Sequence, residues 1–142
     1  MKTYKMLLDG EWREALSGAT RDVVNPATEE SFAQVAWGGR EEARLAIAAA
    51  QRAQREWARV SLWDRCAMVE SLAPAVEARK EDLAEILCSE LGKPRHGEAS
   101  DEASETHTNF LIAPQQAKYL EGKTYPVQTP HMRVMSFRRP LG

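Results

Sequence analysis

Cysteine and histidine are scarce in this sequence, and their spacing excludes two kinds of site. The 142 residues include two cysteines and three histidines. Cys66 and Cys88 stand at apolar helical positions, which does not fit a secreted disulfide framework, so we expect reduced thiols. His96, His107 and His131 lack both the four-residue pairing and the Cys-x-x-Cys partner spacing that hold zinc. We therefore predict no metal site built from histidine or cysteine.

Long apolar runs and an excess of one charge are also missing. No apolar run approaches the ~20 residues that span a bilayer. The apolar residues after Lys5 are too few for a secretory signal, so we expect no membrane association and a cytoplasmic location. A formal net charge of −2 gives no electrostatic footprint for nucleic acid. The length and the ordinary composition are those of one globular domain.

Two β-hairpins are predicted at the start of the chain. Asp9-Gly10 accepts the positive φ angles of a type I′ turn between two short apolar strands. Asn25 to Thr28 is a second turn cluster, in which Pro26 restricts φ. The four candidate strands are residues 6–8, 11–13, 21–24 and 31–35.

Three to four amphipathic helices follow the hairpins. The first begins after Gly38-Gly39 and runs to about Trp57, and its alanine face indicates close approach by another helix. Its apolar positions at helical spacing are Ala43, Ala46, Ile47, Ala50 and Trp57.

The clearest helical signal covers residues 61–91. A capping box of Ser61 and Asp64 starts it, and Gly92 ends it as a left-handed cap. Pro74 removes one helical hydrogen bond, so we expect a kink there. The buried face of its first half is predicted to be Leu62, Cys66, Val69, Ala73 and Val76, and that of its second half Leu83, Ile86, Leu87 and Leu91.

A third long helix is predicted after Pro94, interrupted by Pro114 and terminated by Gly122. Arg133 to Arg138 then alternates as an exposed strand would. Because no later segment is available to pair with that strand, we expect its edge to be open. The apolar seam predicted for the helix is Ala99, Ala103, Thr106, Phe110, Ala113, Ala117 and Leu120.

The residue pattern alone indicates no reactive constellation. Neither Gly-x-Gly-x-x-Gly nor a Walker sequence occurs, so no cofactor-binding loop is predicted. The acidic run from Glu98 to Glu105 can be interpreted as paired catalytic acids or as a solvated face that complements a helix dipole. The solvated face is the simpler interpretation. An apolar setting makes Cys66 and Cys88 inert.

The order of turns and caps is more specific than any one of them. In this order and spacing, the features resemble the N-terminal segment of the aldehyde dehydrogenase superfamily. They are the opening Leu8-Asp9-Gly10-Glu11-Trp12, the turn Val24-Asn25-Pro26-Ala27-Thr28, the helix ending at Trp57, the cap Leu91-Gly92-Lys93-Pro94, Leu120-Glu121-Gly122, Pro126, and the closing Arg139-Pro140-Leu141-Gly142.

The resemblance implies a fold and a domain division. The chain would be an α+β segment of two N-terminal β-hairpins, three to four long amphipathic helices and one closing strand. In the complete protein it would form part of an α/β fold with a Rossmann-like cofactor domain. Residues 1–131 would be the incomplete N-terminal part of the cofactor-binding domain. Residues 132–142 would be the first strand of the oligomerisation element.

The resemblance also implies an activity for the complete protein. A cysteine thiolate attacks an aldehyde, hydride passes to NAD or NADP, and water releases the carboxylic acid. The family's nucleophile, general base and cofactor core lie downstream, so no residue here is assigned a catalytic or cofactor-binding role. We expect a truncated product or fragment that is inactive alone and binds no cofactor, from a complete protein that is a homodimer or homotetramer. Pro74 and Pro114 depart from the family pattern, and the particular aldehyde is unreadable.

One ion site follows from the resemblance. Some members of the family hold K⁺ or Na⁺ with backbone carbonyls before the Asn-Pro turn and with a carboxylate two residues before Gly-Lys. The matching positions are Val23, Val24 and Glu90, and oxygen ligands suit a hard cation. The alternative is that Glu90 is a solvated residue near a helix end, where a carboxylate opposes the dipole.

A second function class stays open beside the enzyme. The chain can be a free-standing, non-enzymatic helical module that binds a partner through an exposed apolar surface. The partner could be a full-length homologue. A chain that continues past Gly142 to a reactive cysteine would favour the enzyme, and a true stop would favour the binding module.

Overall fold

Seven short strands and five helices make up residues 1–141, which are the residues that the computed structural model describes. The strands are β1 (Lys2–Tyr4), β2 (Met6–Leu8), β3 (Glu11–Arg13), β4 (Thr20–Val24), β5 (Ser31–Ala36), β6 (Thr124–Tyr125) and β7 (Val134–Met135). The helices are α1 (Arg40–Trp57), α2 (Leu62–Glu70), α3 (Ala73–Glu77), α4 (Lys80–Leu91) and α5 (Ser100–Ala117). The predicted α+β class is confirmed.

The first hairpin forms as predicted. Strands β2 and β3 pair antiparallel, with Met6 opposite Arg13 and Leu8 opposite Glu11. Asp9 has φ of 55° and Gly10 has φ of 80°. Both angles are positive, as a type I′ turn requires, because that turn matches the right-handed twist of the two strands.

The second hairpin is confirmed and belongs to a larger sheet. Strands β4 and β5 pair antiparallel around the Asn25 turn, and β1 adds to β5 in parallel, giving the order β1-β5-β4. Strand β1 was not predicted from the sequence. Its three residues are all exposed, so they carry no alternation of apolar and polar positions, and its partner strand lies far along the chain.

Helix α1 begins where Gly38-Gly39 ends the sheet and stops at Trp57, as predicted. The side chain of Glu42 is buried at its first turn and accepts hydrogen bonds from the backbone N–H groups of Gly39 and Leu16, both at 2.8 Å. This carboxylate therefore ties the loop before β4 to the start of α1. The sequence analysis did not predict this link between two loops, because Leu16 and Glu42 lie 26 residues apart.

The close helix approach predicted for α1 is wrong for the described residues. Strand β2 packs against α1, but no helix of residues 1–141 covers its alanine face. The predicted apolar positions are all exposed, whereas Glu42 and Ala49 are buried on a different line of the helix. The predicted residues therefore lie on one apolar face, but that face is exposed and not packed against another helix of the described residues.

The helical signal of residues 61–91 forms three helices. Ser61 caps α2, where its hydroxyl accepts a bond from the Asp64 N–H at 3.2 Å and donates to the Asp64 carboxylate at 2.7 Å. The kink predicted at Pro74 is a full break, since α2 ends at Glu70 and Pro74 lies in the first turn of α3. A proline fits the first turn because the N–H it lacks has no helical partner there.

Helix α4 ends as predicted, at Leu91, with Gly92 in the left-handed conformation at φ of 70°. The face predicted for α2 and α3 is confirmed, since its five residues are buried or half-buried. The face of α4 is confirmed in part, because Ile86 and Leu91 are exposed and Ala84 is buried in their place.

Helix α5 packs against α2, α3 and α4. Its central contact joins Ala103 to Ala84 and Ala99, with Leu83 and Leu87 at the edge. The predicted seam is right at Ala99, Ala103, Phe110 and Ala117 and wrong at Thr106, Ala113 and Leu120, which are exposed.

The predicted end of the third helix is also corrected. Pro114 lies buried inside α5, and the helix continues past it to Ala117 instead of stopping there or reaching Gly122. Because proline has no backbone N–H, Pro114 cannot donate to the carbonyl one turn earlier, and the helix loses a hydrogen bond close to its end. An irregular turn at Arg95–Ala99, which was not predicted, connects α4 to α5.

The strand predicted at 133–138 is shorter and is paired. Strand β7 covers only Val134–Met135 and pairs antiparallel with β6, so the expected open strand is wrong on that side. The pairing partner precedes the strand in sequence, which the prediction did not consider. Gly142, part of the final predicted element, lies outside the described residues.

Candidate functional site

The predicted cation ligands lie at the junction between the sheet and the helices. Val23 and Val24 end β4, which is an edge strand of the sheet, and the register of β4 with β5 shifts between them. Such a shift bends the strand and is common beside functional sites. Glu90 is exposed in the last turn of α4. The three residues therefore come from two separate elements.

The two elements meet through Pro26 and Gly92. A Cβ atom added at Gly92 would lie 3.0 Å from Cγ of Pro26, so the turn after β4 touches the end of α4. Val24 and Glu90 each stand two residues from this contact. The structure thus brings the predicted ligand segments into one neighbourhood.

Internal hydrogen bonds hold the Asn25 turn in shape. The side-chain oxygen of Asn25 accepts a hydrogen bond from the Ala27 N–H at 2.9 Å. The backbone carbonyl of Asn25 accepts one from the Glu29 N–H at 2.8 Å. Glu29 itself has a positive φ of 60°. A turn fixed in this way presents the end of β4 to α4 in a defined position.

The electrostatics of the junction suit a cation. The last turn of α4 carries no basic residue, so the partial negative charge of the helix end is uncompensated within that turn. Lys93 follows directly but bonds to Glu102. That hydrogen bond is the main cause of a raised pKa for the Lys93 ammonium, with Glu98 and Glu105 adding smaller contributions. Two carbonyls and a carboxylate are the oxygen donors that a hard cation prefers.

The acidic run is a charged surface around Lys93. Glu98, Asp101 and Glu105 are exposed, and Glu102 is half-buried where it meets Lys93. This arrangement agrees with a solvated face in which one carboxylate has a lysine partner. The four carboxylates line an open depression of about 600 Å³ around Lys93 and not an enclosed cavity.

The two cysteines sit in the helical layer. Cys66 is 3% exposed, and its thiol donates to the carbonyl of Pro114 at 3.4 Å. Cys88 is half-buried on α4. A thiol bonded to a carbonyl has no base beside it, so Cys66 is not arranged as an activated nucleophile.

Histidine supplies no second candidate site. His107 lies 4.0 Å from Glu77 through its Nδ1 atom. Across residues 1–141, no three side chains of the metal-binding types gather into a group. Within that same range, no helix has the length and apolar character needed to cross a membrane.

The feature that sequence reasoning missed is an open groove between α1 and α2. It has a volume of about 850 Å³ and is lined mainly by apolar residues, among them Ala50, Ala53, Trp57 and Met68. The alanine periodicity of α1 was the available signal. The sequence analysis interpreted that periodicity as close packing against another helix. In the structure, none of the described helices covers this face.

Comparison with known proteins identifies the class to which this fold belongs. The model of the aldehyde dehydrogenase family matches residues 12–142. The chain therefore belongs to the aldehyde dehydrogenase family, as the order of its turns and caps indicated.

Individual relatives agree with the family assignment. The chain is 39% identical over 93 residues to the 3,6-anhydro-alpha-L-galactose dehydrogenase of Vibrio sp. (strain EJY3), covering 66% of this chain and 19% of that protein. It is 31% identical to the NADP-dependent glyceraldehyde-3-phosphate dehydrogenase of Triticum aestivum, covering 99% of this chain and 30% of the relative.

A solved structure shows the same fold. The chain is similar to a Staphylococcus aureus betaine aldehyde dehydrogenase point mutant in complex with NAD⁺, with a TM-score of 0.82 and 28% identity. The match covers 92% of this chain and 26% of that structure. In all three comparisons the chain spans less than a third of the relative.

Proposed function

We propose that this chain forms the N-terminal part of an NAD(P)-dependent aldehyde dehydrogenase, and that the complete protein oxidises an aldehyde to a carboxylic acid. The observation that carries the proposal is the family match, which extends over nearly the whole chain. The relatives support it, since the named proteins act on aldehydes or sugar aldehydes and one was solved with NAD⁺.

Within the proposal, residues 1–131 belong to the cofactor-binding domain and residues 132–142 begin the oligomerisation element. Strands β6 and β7 pair with each other across this boundary, and neither joins the sheet β1-β5-β4. The complete protein would be a homodimer or homotetramer in the cytoplasm. Sedimentation of the complete protein and cell fractionation test these two points.

The reactive groups would come from the rest of the polypeptide. The Cys66 thiol is buried against Pro114, and the Glu42 carboxylate is engaged by two backbone N–H groups. The choice between NAD and NADP is open, because one relative is NADP-dependent and another was solved with NAD⁺. We expect the 142-residue chain alone to reduce neither cofactor with any aldehyde.

We propose further that Val23, Val24 and Glu90 hold a monovalent cation, K⁺ or Na⁺. The contact between Pro26 and Gly92 and the uncompensated helix end support this site. An ion there would join the sheet to the helical layer, so its role would be to stabilise the fold.

Two measurements on the natural protein test the proposed function. Its intact mass shows whether the polypeptide extends beyond these residues, and absorbance at 340 nm reports the reduction of NAD⁺ or NADP⁺ with a panel of aldehydes. A longer protein that reduces either cofactor is the expected result. A longer protein that reduces neither with any aldehyde would contradict the proposal.

The open groove favours one alternative, a non-enzymatic module that binds a partner protein. Exposed apolar patches of this kind mark interaction sites in soluble proteins. A natural protein with the mass of these 142 residues, isolated in complex with another polypeptide, would support the module over the enzyme.

A further inference from the structure

We draw no further inference here: the strongest candidate, the acidic depression around Lys93 at the start of α5, is an open cluster of carboxylates, and nothing in the structure of residues 1–141 shows what it would bind.

Discussion

Two alanine-lined helical faces in this chain have opposite environments. On α5, Ala103 is 1% exposed and packs against Ala84 and Ala99. On α1, Ala43, Ala46 and Ala50 are exposed, although they too recur at helical spacing. The comparison shows that a regular apolar stripe on a helix does not by itself tell whether that face is buried within these residues.

The largest expected change in stability distinguishes the buried face of α5 from the exposed face of α1. Replacing Ala103 with Asp buries an unpaired charge, and we expect this to destabilise the 142-residue chain by on the order of 3 kcal/mol. Ala50→Asp makes the same chemical change on an exposed face and should shift stability by no more than about 0.5 kcal/mol. Urea unfolding followed by circular dichroism measures both. Equal losses in the two variants would mean that the α1 face is covered in solution.

Substitutions at Gly92 test the contact with Pro26 that joins the end of α4 to the turn after β4. Gly92→Ala adds a Cβ atom 3.0 Å from Pro26 at a residue whose φ is 70°. The left-handed conformation alone costs a non-glycine residue about 1–2 kcal/mol, so the urea midpoint should fall. Gly92→Asn is the control for the backbone, since Asn tolerates this conformation while keeping the Cβ contact. If both variants match the original chain, the contact with Pro26 is not made.

A substitution at Glu42 tests the hydrogen bonds that link the start of α1 to the loop before β4. We expect its effect on stability to be smaller. Backbone hydrogen bonds hold the pKa of the Glu42 carboxyl below its ordinary value of 4.5, with the bond from Leu16 contributing most, then the amide of Glu42 itself, then Gly39. Because the folded-state pKa is the lower one, this stabilisation is present above pH 4.5 and is lost as pH falls through the folded-state pKa.

The measurement compares the chain with its Glu42→Gln variant across pH. The original chain should be the more stable at pH 7, and the difference should disappear at acidic pH below 4.5. Glu41→Gln is the matched control, since Glu41 is exposed and its partner is Arg44 at 3.6 Å. A stability difference that persists unchanged at low pH would show that the Glu42 carboxylate does not link the two loops.

The smallest expected effect concerns the cation. A ligand that binds only the folded state stabilises it by about 0.4 kcal/mol when its concentration equals its dissociation constant. Raising K⁺ or Na⁺ at constant ionic strength, with tetramethylammonium as the balancing ion, should therefore raise the melting temperature, and Glu90→Ala should remove the increase. An increase that survives Glu90→Ala would exclude this residue as a ligand.

Local chemistry made much of the fold predictable. Asp9-Gly10, Ser61 and Gly92 each specify a turn or cap through their own backbone preferences, and all three occur where the sequence indicated. The apolar face of α2 and part of that of α5 were also predictable, because the buried positions of a helix recur with its period. These features depend on residues within one or two turns of each other.

Contacts between distant residues explain most of what was missed. Strand β1 depends on β5, and strand β7 depends on β6, so neither pairing follows from the residues of one strand. The Glu42 carboxylate reaches Leu16, which is 26 residues away. At the candidate cation site, the three residues came from the family resemblance, while the contact between Pro26 and Gly92 became visible only in the fold.

The parallel pairing of β1 with β5 also has a kinetic consequence. Lys2 pairs with Ala33, so closing this contact orders a loop of about 30 residues at an entropic cost on the order of 3 kcal/mol. The β2–β3 hairpin needs only its two-residue turn and can form first. Long loops delay the contacts that close them, so β1 should dock late in folding. In pulse-labelling hydrogen exchange, the β1 amides that bond to β5 should therefore gain protection after those of Leu8 and Glu11, the hydrogen-bonded pair that flanks the two-residue turn.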